Sequence, residues 1–141
     1  MKPLTSVIFC RRLFFTGLAA ALAAQLPTAF AAQPLVEIIA FAHPPVEDAL
    51  RPLRAWLKAQ AAKVRVVEMD MSAFEAQSRL KAVGLTGHLP IVILIDGQRR
   101  YTRPDGVTVQ FVSFPAAAGS PAAVTGTWSI EDVQAAMKAR N

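Results

Sequence analysis

Residues 35–42 read Leu-Val-Glu-Ile-Ile-Ala-Phe-Ala, a nearly continuous apolar run rich in β-branched side chains. A strand that is covered on both faces has this composition, because neither face is in contact with water. The run therefore predicts a central strand of a sheet. Pro44 and Pro45 follow closely and predict its end, since proline has no backbone N–H to donate to a neighbouring strand.

Helical and strand patterns alternate after this first strand. Residues 46–62 carry apolar side chains three or four positions apart, which predicts an amphipathic helix with a kink at Pro52. Residues 64–69 predict a second strand. Residues 73–83 predict a second helix with Ser72 as its N-terminal cap.

The second half of the chain holds a third apolar run, Ile-Val-Ile-Leu-Ile at residues 91–95. Asp96-Gly97 follows it and is a strong hairpin signal, so residues 98–103 are expected to return antiparallel to that strand. Residues 107–114 alternate like a further strand, and residues 115–126 have the small side chains of a loop.

A last helix is predicted for residues 130–138, with Ser129 as its cap and acidic residues in its first turn. The order strand, helix, strand, helix, strand, strand, helix predicts an α/β fold with one mixed sheet. Its first two strands are expected to be parallel and joined by a right-handed crossover.

Residues 1–32 predict a cleavable export signal. A basic start precedes an apolar stretch over residues 13–26, and a small-x-small pattern then predicts a cut after Ala31 or Ala32. Arg11-Arg12 resembles the twin-arginine signal, so that route and the ordinary secretory (Sec) route both stay open. The mature chain, residues 33–141, is expected to be one periplasmic or secreted domain.

A membrane anchor is the alternative interpretation of the same stretch. The apolar run is interrupted by polar residues and glycine, and it is shorter than the roughly 20 residues that span a bilayer. A leader that is removed is therefore preferred, and no membrane span is expected after cleavage.

The sequence contains one cysteine, Cys10, which lies within the predicted leader. The mature chain is thus expected to be free of cysteine and of internal disulfides. The leader also carries three of the 15 basic residues and none of the ten acidic ones, so the mature chain is nearly balanced in charge. Its densest basic cluster, Arg99, Arg100 and Arg103, is short, and no nucleic-acid partner is expected.

Most of the mature chain resembles the thioredoxin-like fold. Pro52 stands where that family has a helix-kinking proline, which places residues 43–47 over the family's active-site loop. Residues 83–91 resemble the approach to the family's cis-proline, and Asp96-Gly97 the hairpin that follows. The resemblance implies a three-layer sandwich with a mixed central sheet between helices. It also makes residues 104–123 an insertion.

The chain departs from this family at its chemistry. Pro44 and Glu47 occupy the positions of the two cysteines, and thiol exchange requires a thiolate that the mature chain does not have. No Gly-x-Ser-x-Gly elbow or glycine-rich phosphate loop is present either. The chain is therefore expected to be neither a redox protein nor an enzyme, and to need no cofactor.

The resemblance implies a surface that binds the extended backbone of a client protein and survives the loss of the cysteines. The predicted function is that of an accessory protein for another envelope or periplasmic protein. In the insertion, alternation sends Phe111 to one face and Phe114 to the other, as either an extra strand or an exposed patch. The expected partner-binding residues are His43, Pro44, Pro45, His88, Leu89, Pro90, Phe111 and Phe114.

A copper carrier is the alternative function. The ends of the first two strands and the start of the third share one rim of the predicted sheet. Imidazole and thioether groups on that rim would suit copper. The candidate ligands are His43, Met69, Met71 and His88.

Overall fold

The computed structural model describes residues 32–117 and 127–140. The predicted leader up to residue 31 and residues 118–126 of the predicted insertion lie outside these ranges. None of the described helices is both long and apolar enough to cross a membrane. The elements are β1 (Leu35–Ala40), α1 (Pro44–Ala59), β2 (Arg65–Asp70), α2 (Phe74–Ala82), β3 (Ile91–Ile95), β4 (Arg100–Thr102), β5 (Thr108–Gln110) and α3 (Ile130–Lys138).

The main sheet is mixed and has the strand order β2-β1-β3. Strand β1 is the central strand, as its apolar run predicts. It pairs parallel with β2 and antiparallel with β3. The strand is two residues shorter than predicted, and beyond it the Phe41 N–H donates to the Pro90 carbonyl (3.2 Å). The observed class is therefore α/β with a mixed sheet of three strands.

The return from the Asp96-Gly97 turn differs from the prediction. Gln98 still bridges to Ile95, but β4 pairs with β5 and not with β3. The place beside β3 is taken by the segment at Phe111, whose carbonyl accepts from the Ile93 N–H (2.9 Å).

Burial explains this exchange of partners. Strand β3 is buried along its whole length and needs an apolar neighbour on both faces. Phe111 and Val112 pack into the clusters on opposite sides of the sheet, whereas the charged residues of the 98–103 segment would have to be desolvated there.

The core consists of two clusters, one on each face of the sheet. The larger lies against α1 and α3 and includes Phe111, whose ring meets that of Trp128 edge to face with centroids 5.9 Å apart. The smaller cluster lies against α2 and includes Ile39, Met71 and Leu80. Each fully buried side chain of this size contributes about 1.5–3 kcal/mol, so the two clusters stabilise the sheet between them.

The helix starts bear out one predicted cap and correct another. Ser129 caps α3 by accepting from the Asp132 N–H (3.3 Å), and Asp132 accepts in return from the Ser129 N–H (2.8 Å). Ser72 does not cap α2. Its backbone N–H and its hydroxyl both bond to the carboxylate of Asp70, and the N-cap position falls on Ala73 without a side-chain hydrogen bond.

Two buried carboxylates are each held by an arginine from another part of the fold. Glu37, the polar exception in the apolar run of β1, is 6 % exposed and accepts two hydrogen bonds from Arg79 of α2 (2.6 and 2.7 Å). Asp132 of α3 is equally buried and accepts two from Arg103 (both 2.7 Å). Such paired forks satisfy carboxylates that burial would otherwise destabilise.

The pKa of Asp132 reflects this competition. Burial alone would raise it, but the hydrogen bonds from Arg103 and from the Ser129 backbone outweigh burial, so the pKa lies below its ordinary value. The folded state therefore prefers the ionised carboxylate.

We expect Asp132→Ala to lower the free energy of unfolding by about 3 kcal/mol or more, because it removes the buried carboxylate that accepts two hydrogen bonds from Arg103 and that also accepts from the Ser129 N–H at the start of α3. Glu131→Ala, at an exposed position in the same turn, should cost less than about 1 kcal/mol. Urea unfolding followed by circular dichroism measures both. Equal losses would contradict the structural role assigned to Asp132.

The same pair predicts a pH dependence. A carboxylate whose pKa is lowered by folding stabilises the protein above its unfolded pKa, and this stabilisation disappears as the pH falls through the folded value. We expect the wild-type unfolding free energy to fall below about pH 4, and to fall less steeply in Asp132→Asn. Parallel slopes for the two proteins between pH 6 and pH 2 would contradict this assignment.

Candidate functional site

The carboxyl ends of β1 and β2 and the start of β3 lie at one edge of the main sheet, which we call the rim. Four loops or element ends reach it. Residues 41–43 follow β1, residues 71–74 follow β2 into α2, residues 88–90 precede β3, and residues 113–114 follow the segment paired with β3. Strand direction alone therefore brings these separate segments together.

Phe41 is the centre of the rim. Its ring stacks on that of His43, with centroids 5.9 Å apart and planes 16° apart, and contacts that of His88, with centroids at 4.9 Å. Both imidazoles are exposed, while Phe41 is half-buried and packs on the smaller cluster. The structure thus brings both histidines into contact with the ring of Phe41. The sequence patterns do not single out Phe41 as a site residue.

Leu89 and Pro90 line the same region. Leu89 is half-buried against the smaller cluster, and the Pro90 carbonyl fixes the end of β1 through Phe41. The described residues contain no cis peptide bond, so Leu89–Pro90 is trans. The bond thus differs from the cis form of the family that the chain resembles, a point that the sequence leaves open.

Pro44 and Pro45 form the exposed first turn of α1. They fit there because the first N–H groups of a helix need no partner within it. His43 is the N-cap residue, and its backbone carbonyl accepts from the Val46 and Glu47 N–H groups (both 3.0 Å). The imidazole takes no part in capping and so remains available to solvent.

Glu47 is held by an ion cluster. Arg54 donates to Glu47 (2.6 Å) and, through two nitrogens, to Glu68 of β2 (2.8–3.1 Å). These bonds, with Glu68 dominant, raise the pKa of Arg54 above its ordinary value. The Glu47 carboxylate thus has a structural partner.

A small cavity of about 230 Å³ lies between this ion cluster and the rim. Its lining combines apolar residues with acidic groups already engaged by Arg54 or Ser72. Side chains from β1, its following loop, α1 and β2 form it: Ile38, Ala40, Phe41, Ala42, Glu47, Arg54, Glu68, Met69 and Asp70.

The two phenylalanines of the insertion have different environments. Phe111 is 1 % exposed in the larger cluster, so its side chain is not available to a partner. Phe114 is 41 % exposed. The Ser113 backbone N–H donates to the Ile91 carbonyl (2.8 Å). Phe114, the next residue, therefore lies at the rim beside the start of β3. The segment is therefore a covering strand at Phe111 and an exposed apolar surface at Phe114.

The candidate sulfur ligands are less accessible than the imidazoles. Met69 is half-buried and Met71 is 1 % exposed, both in the smaller cluster. Within residues 32–117 and 127–140, no three His, Cys, Asp or Glu side chains form a group suited to a metal ion.

One exposed residue was missed from the sequence. Phe74 opens α2 at the rim and is 82 % exposed, the highest fraction among the large apolar side chains described. The helical periodicity of residues 73–83 gave no reason to separate Phe74 from the apolar face, and exposure depends on how α2 packs on the sheet.

No family model matches the chain. Comparisons with curated proteins and with solved structures likewise give no match.

The contacts of Phe41 predict a spectroscopic signature. The chain has two histidines, and both lie against one aromatic ring, whose ring current should shift their imidazole proton resonances upfield. We expect Phe41→Leu to move both histidines toward random-coil values in the proton NMR spectrum of a protein without a histidine tag. Phe114→Leu should leave them unchanged. Unshifted imidazole signals in the wild type would contradict the described rim.

Proposed function

We propose that this chain is an exported, cysteine-free protein of the thioredoxin-like type, and that it acts by binding another envelope or periplasmic protein as an accessory factor. Its strand directions and the position of Pro52 within α1 are compatible with that fold. The periplasmic or secreted location rests on the leader-like first 32 residues.

The observation that carries this proposal is the apolar side chains at the rim. Phe74 and Phe114 are exposed, Phe41 and Leu89 are half-buried, and both imidazoles contact Phe41. Large apolar groups exposed along one edge of a protein commonly mark a surface that binds a partner. Aromatic side chains also provide large contact areas with little loss of side-chain entropy.

The backbone beside these side chains supports an extended client. Among the described residues, no backbone hydrogen bond involves the N–H or C=O groups of His88 and Leu89. A client segment running along this loop would pair with them, and its alternate side chains would meet Phe41 and Phe114. Affinity would come from the main chain and specificity from the aromatic residues.

Thiol exchange has no part in this proposal. The one cysteine of the sequence is Cys10, and Pro44 and Glu47 stand where the resemblance has its cysteine pair. Glu47 is bonded to Arg54, which ties it to the ion cluster. The proposed protein holds its client without oxidising, reducing or hydrolysing it.

We expect a discrete partner to be captured from the native cell envelope by the tagged protein after mild crosslinking. Phe74→Ser and Leu89→Ser, made singly and together, should reduce its recovery at least roughly tenfold in the double variant, as expected for loss of anchor residues. Val107→Ser is the matched control, because Val107 is 38 % exposed on the β4–β5 connection.

Point variants are preferable here to shortening residues 104–123, since that deletion would remove Phe111 from the core. Circular dichroism must first show that each variant is folded. A partner recovered equally with the double variant and the wild type would overturn the proposed surface.

A second candidate is copper carriage, which the contact of both histidines with Phe41 favours. His43 and His88 would be the primary ligands, with Met69 and Met71 as thioether ligands after local opening. Copper(I) titration against a competing chelator tests it. Binding lost in both His43→Ala and His88→Ala would support the carrier, and unchanged binding in either would contradict it.

A further inference from the structure

A cavity of about 410 Å³ lies at the end of the main sheet that is opposite the rim. It is formed where the end of α2 meets the turn after β3, since both elements begin at the rim and run away from it. Val83, Gly97, Arg99 and Arg100 are among the residues that line it. The described lining includes two arginines and no acidic side chain, so the cavity carries a net positive charge.

Arg99 is fixed at the wall of this cavity by one of its nitrogens. Nη1 donates to the Val83 carbonyl (2.5 Å), one of the carbonyls that the end of a helix leaves without a helical partner. Nε is buried and has no hydrogen-bond partner, the single buried side-chain atom of this kind in the part of the chain that the structure describes. Nη2 has no partner there either, and it is not buried.

Three other arginines show what this edge of the guanidinium group binds in this protein. Arg54, Arg79 and Arg103 each donate through Nε and Nη2 to a single carboxylate, at 2.6–3.1 Å. The two N–H groups are parallel and match two oxygens of a carboxylate or a phosphate. In Arg99 the corresponding pair donates to no residue that the structure describes.

Capping of α2 accounts for only one nitrogen of Arg99. A cation near the C-terminal end of a helix is stabilising whichever basic side chain supplies it. Nη1 alone provides this contact, so capping gives no reason for the unused Nε–Nη2 edge. The Gly97 N–H, in the same lining, also donates to no backbone group among residues 32–117 and 127–140.

Arg100 brings a second positive charge to the cavity. It is exposed and makes no ion pair with a described residue. The carboxylate of the adjoining turn, Asp96, is already bonded to Arg140 (2.7 Å) and to the Leu35 N–H (2.8 Å). A phosphate group, with a charge of about −1.5 to −2 near pH 7, matches two guanidinium charges better than a singly charged carboxylate does.

We propose that this cavity binds a phosphate group, held by the Nε–Nη2 edge of Arg99 and by the guanidinium of Arg100. Arg99 is only partly buried, so a small turn of its guanidinium group brings Nε to the cavity. The group that carries the phosphate is either a small soluble phosphomonoester or a lipid headgroup. The site is independent of the proposed function, because it uses none of the residues of the rim.

A phosphate titration of the purified full chain at pH 7.5, followed by ¹⁵N NMR, tests the site directly. We expect saturable shifts of the Arg99 Nε–Hε signal and of the Gly97 amide signal. The Nε–Hε signal of Arg65, an exposed arginine of β2 without a described ion pair, should not move. Shifts that sodium chloride reproduces at equal ionic strength would overturn the proposal.

Three variants separate a built site from general attraction of anions. Arg99→Lys keeps the charge but loses the paired N–H groups, and it should raise the dissociation constant for phosphate roughly tenfold. Arg100→Ala should raise it by a similar factor, whereas Arg65→Ala, with the same change in net charge, should leave it unchanged. Circular dichroism must show that each variant is folded. Binding unaffected by Arg99→Lys, or weakened equally by Arg65→Ala and Arg100→Ala, would overturn the proposal.

Two further ligands distinguish the sources of the phosphate. Glycerol 3-phosphate bound in an Arg99-dependent way, without sedimentation on vesicles, would support a soluble phosphomonoester. Sedimentation with vesicles of phosphatidic acid in phosphatidylcholine, lost in Arg99→Lys and absent with phosphatidylcholine alone, would support a lipid headgroup. If neither ligand nor inorganic phosphate binds the wild type, the proposal is wrong, and this result needs no variant to fold.

Discussion

The antiparallel pairing of β1 with β3 is the constraint on which the other features depend. Both strands are buried, so the sheet needs apolar cover on two sides at once. Helices α1 and α3 cover one face and α2 the other. The requirement also draws Phe111 and Val112 to the free side of β3, which in turn leads Phe114 to the rim. The surface that we propose for binding is thus a consequence of how the core is closed.

Local sequence signals predict the strands that are buried on both faces and the helix cap that is formed by neighbouring residues. The continuous apolar runs of β1 and β3 indicate strands covered on both faces. Ser129 and Asp132 form their cap within four residues of the chain. The prediction that residues 98–103 pair with β3 is wrong, because the turn at Asp96-Gly97 determines the path of only the residues next to it. Which strand lies beside β3 is decided by the desolvation cost of distant side chains, and a local pattern does not contain that information.

The candidate site likewise has features that local sequence predicts and features that depend on tertiary packing. Strand direction, which the sequence predicts, brings His43 and His88 to the same rim, but their common contact Phe41 lies in a run that the sequence pattern assigns only to a buried strand. Ser72 was misassigned because Asp70, two residues earlier, offers a carboxylate that competes for its groups. Residues that bond locally in this way favour turns over caps. The exposure of Phe74 depends on tertiary packing and has no sequence signal of its own.

The most direct test of the binding proposal is photocrosslinking in living cells, with a benzophenone amino acid placed at position 89 on the rim or at position 107 away from it. We predict a discrete covalent adduct with one envelope protein from position 89, formed equally well under reducing conditions because no thiol takes part. No adduct from position 89, or the same adducts from position 107, would contradict a binding surface at the rim.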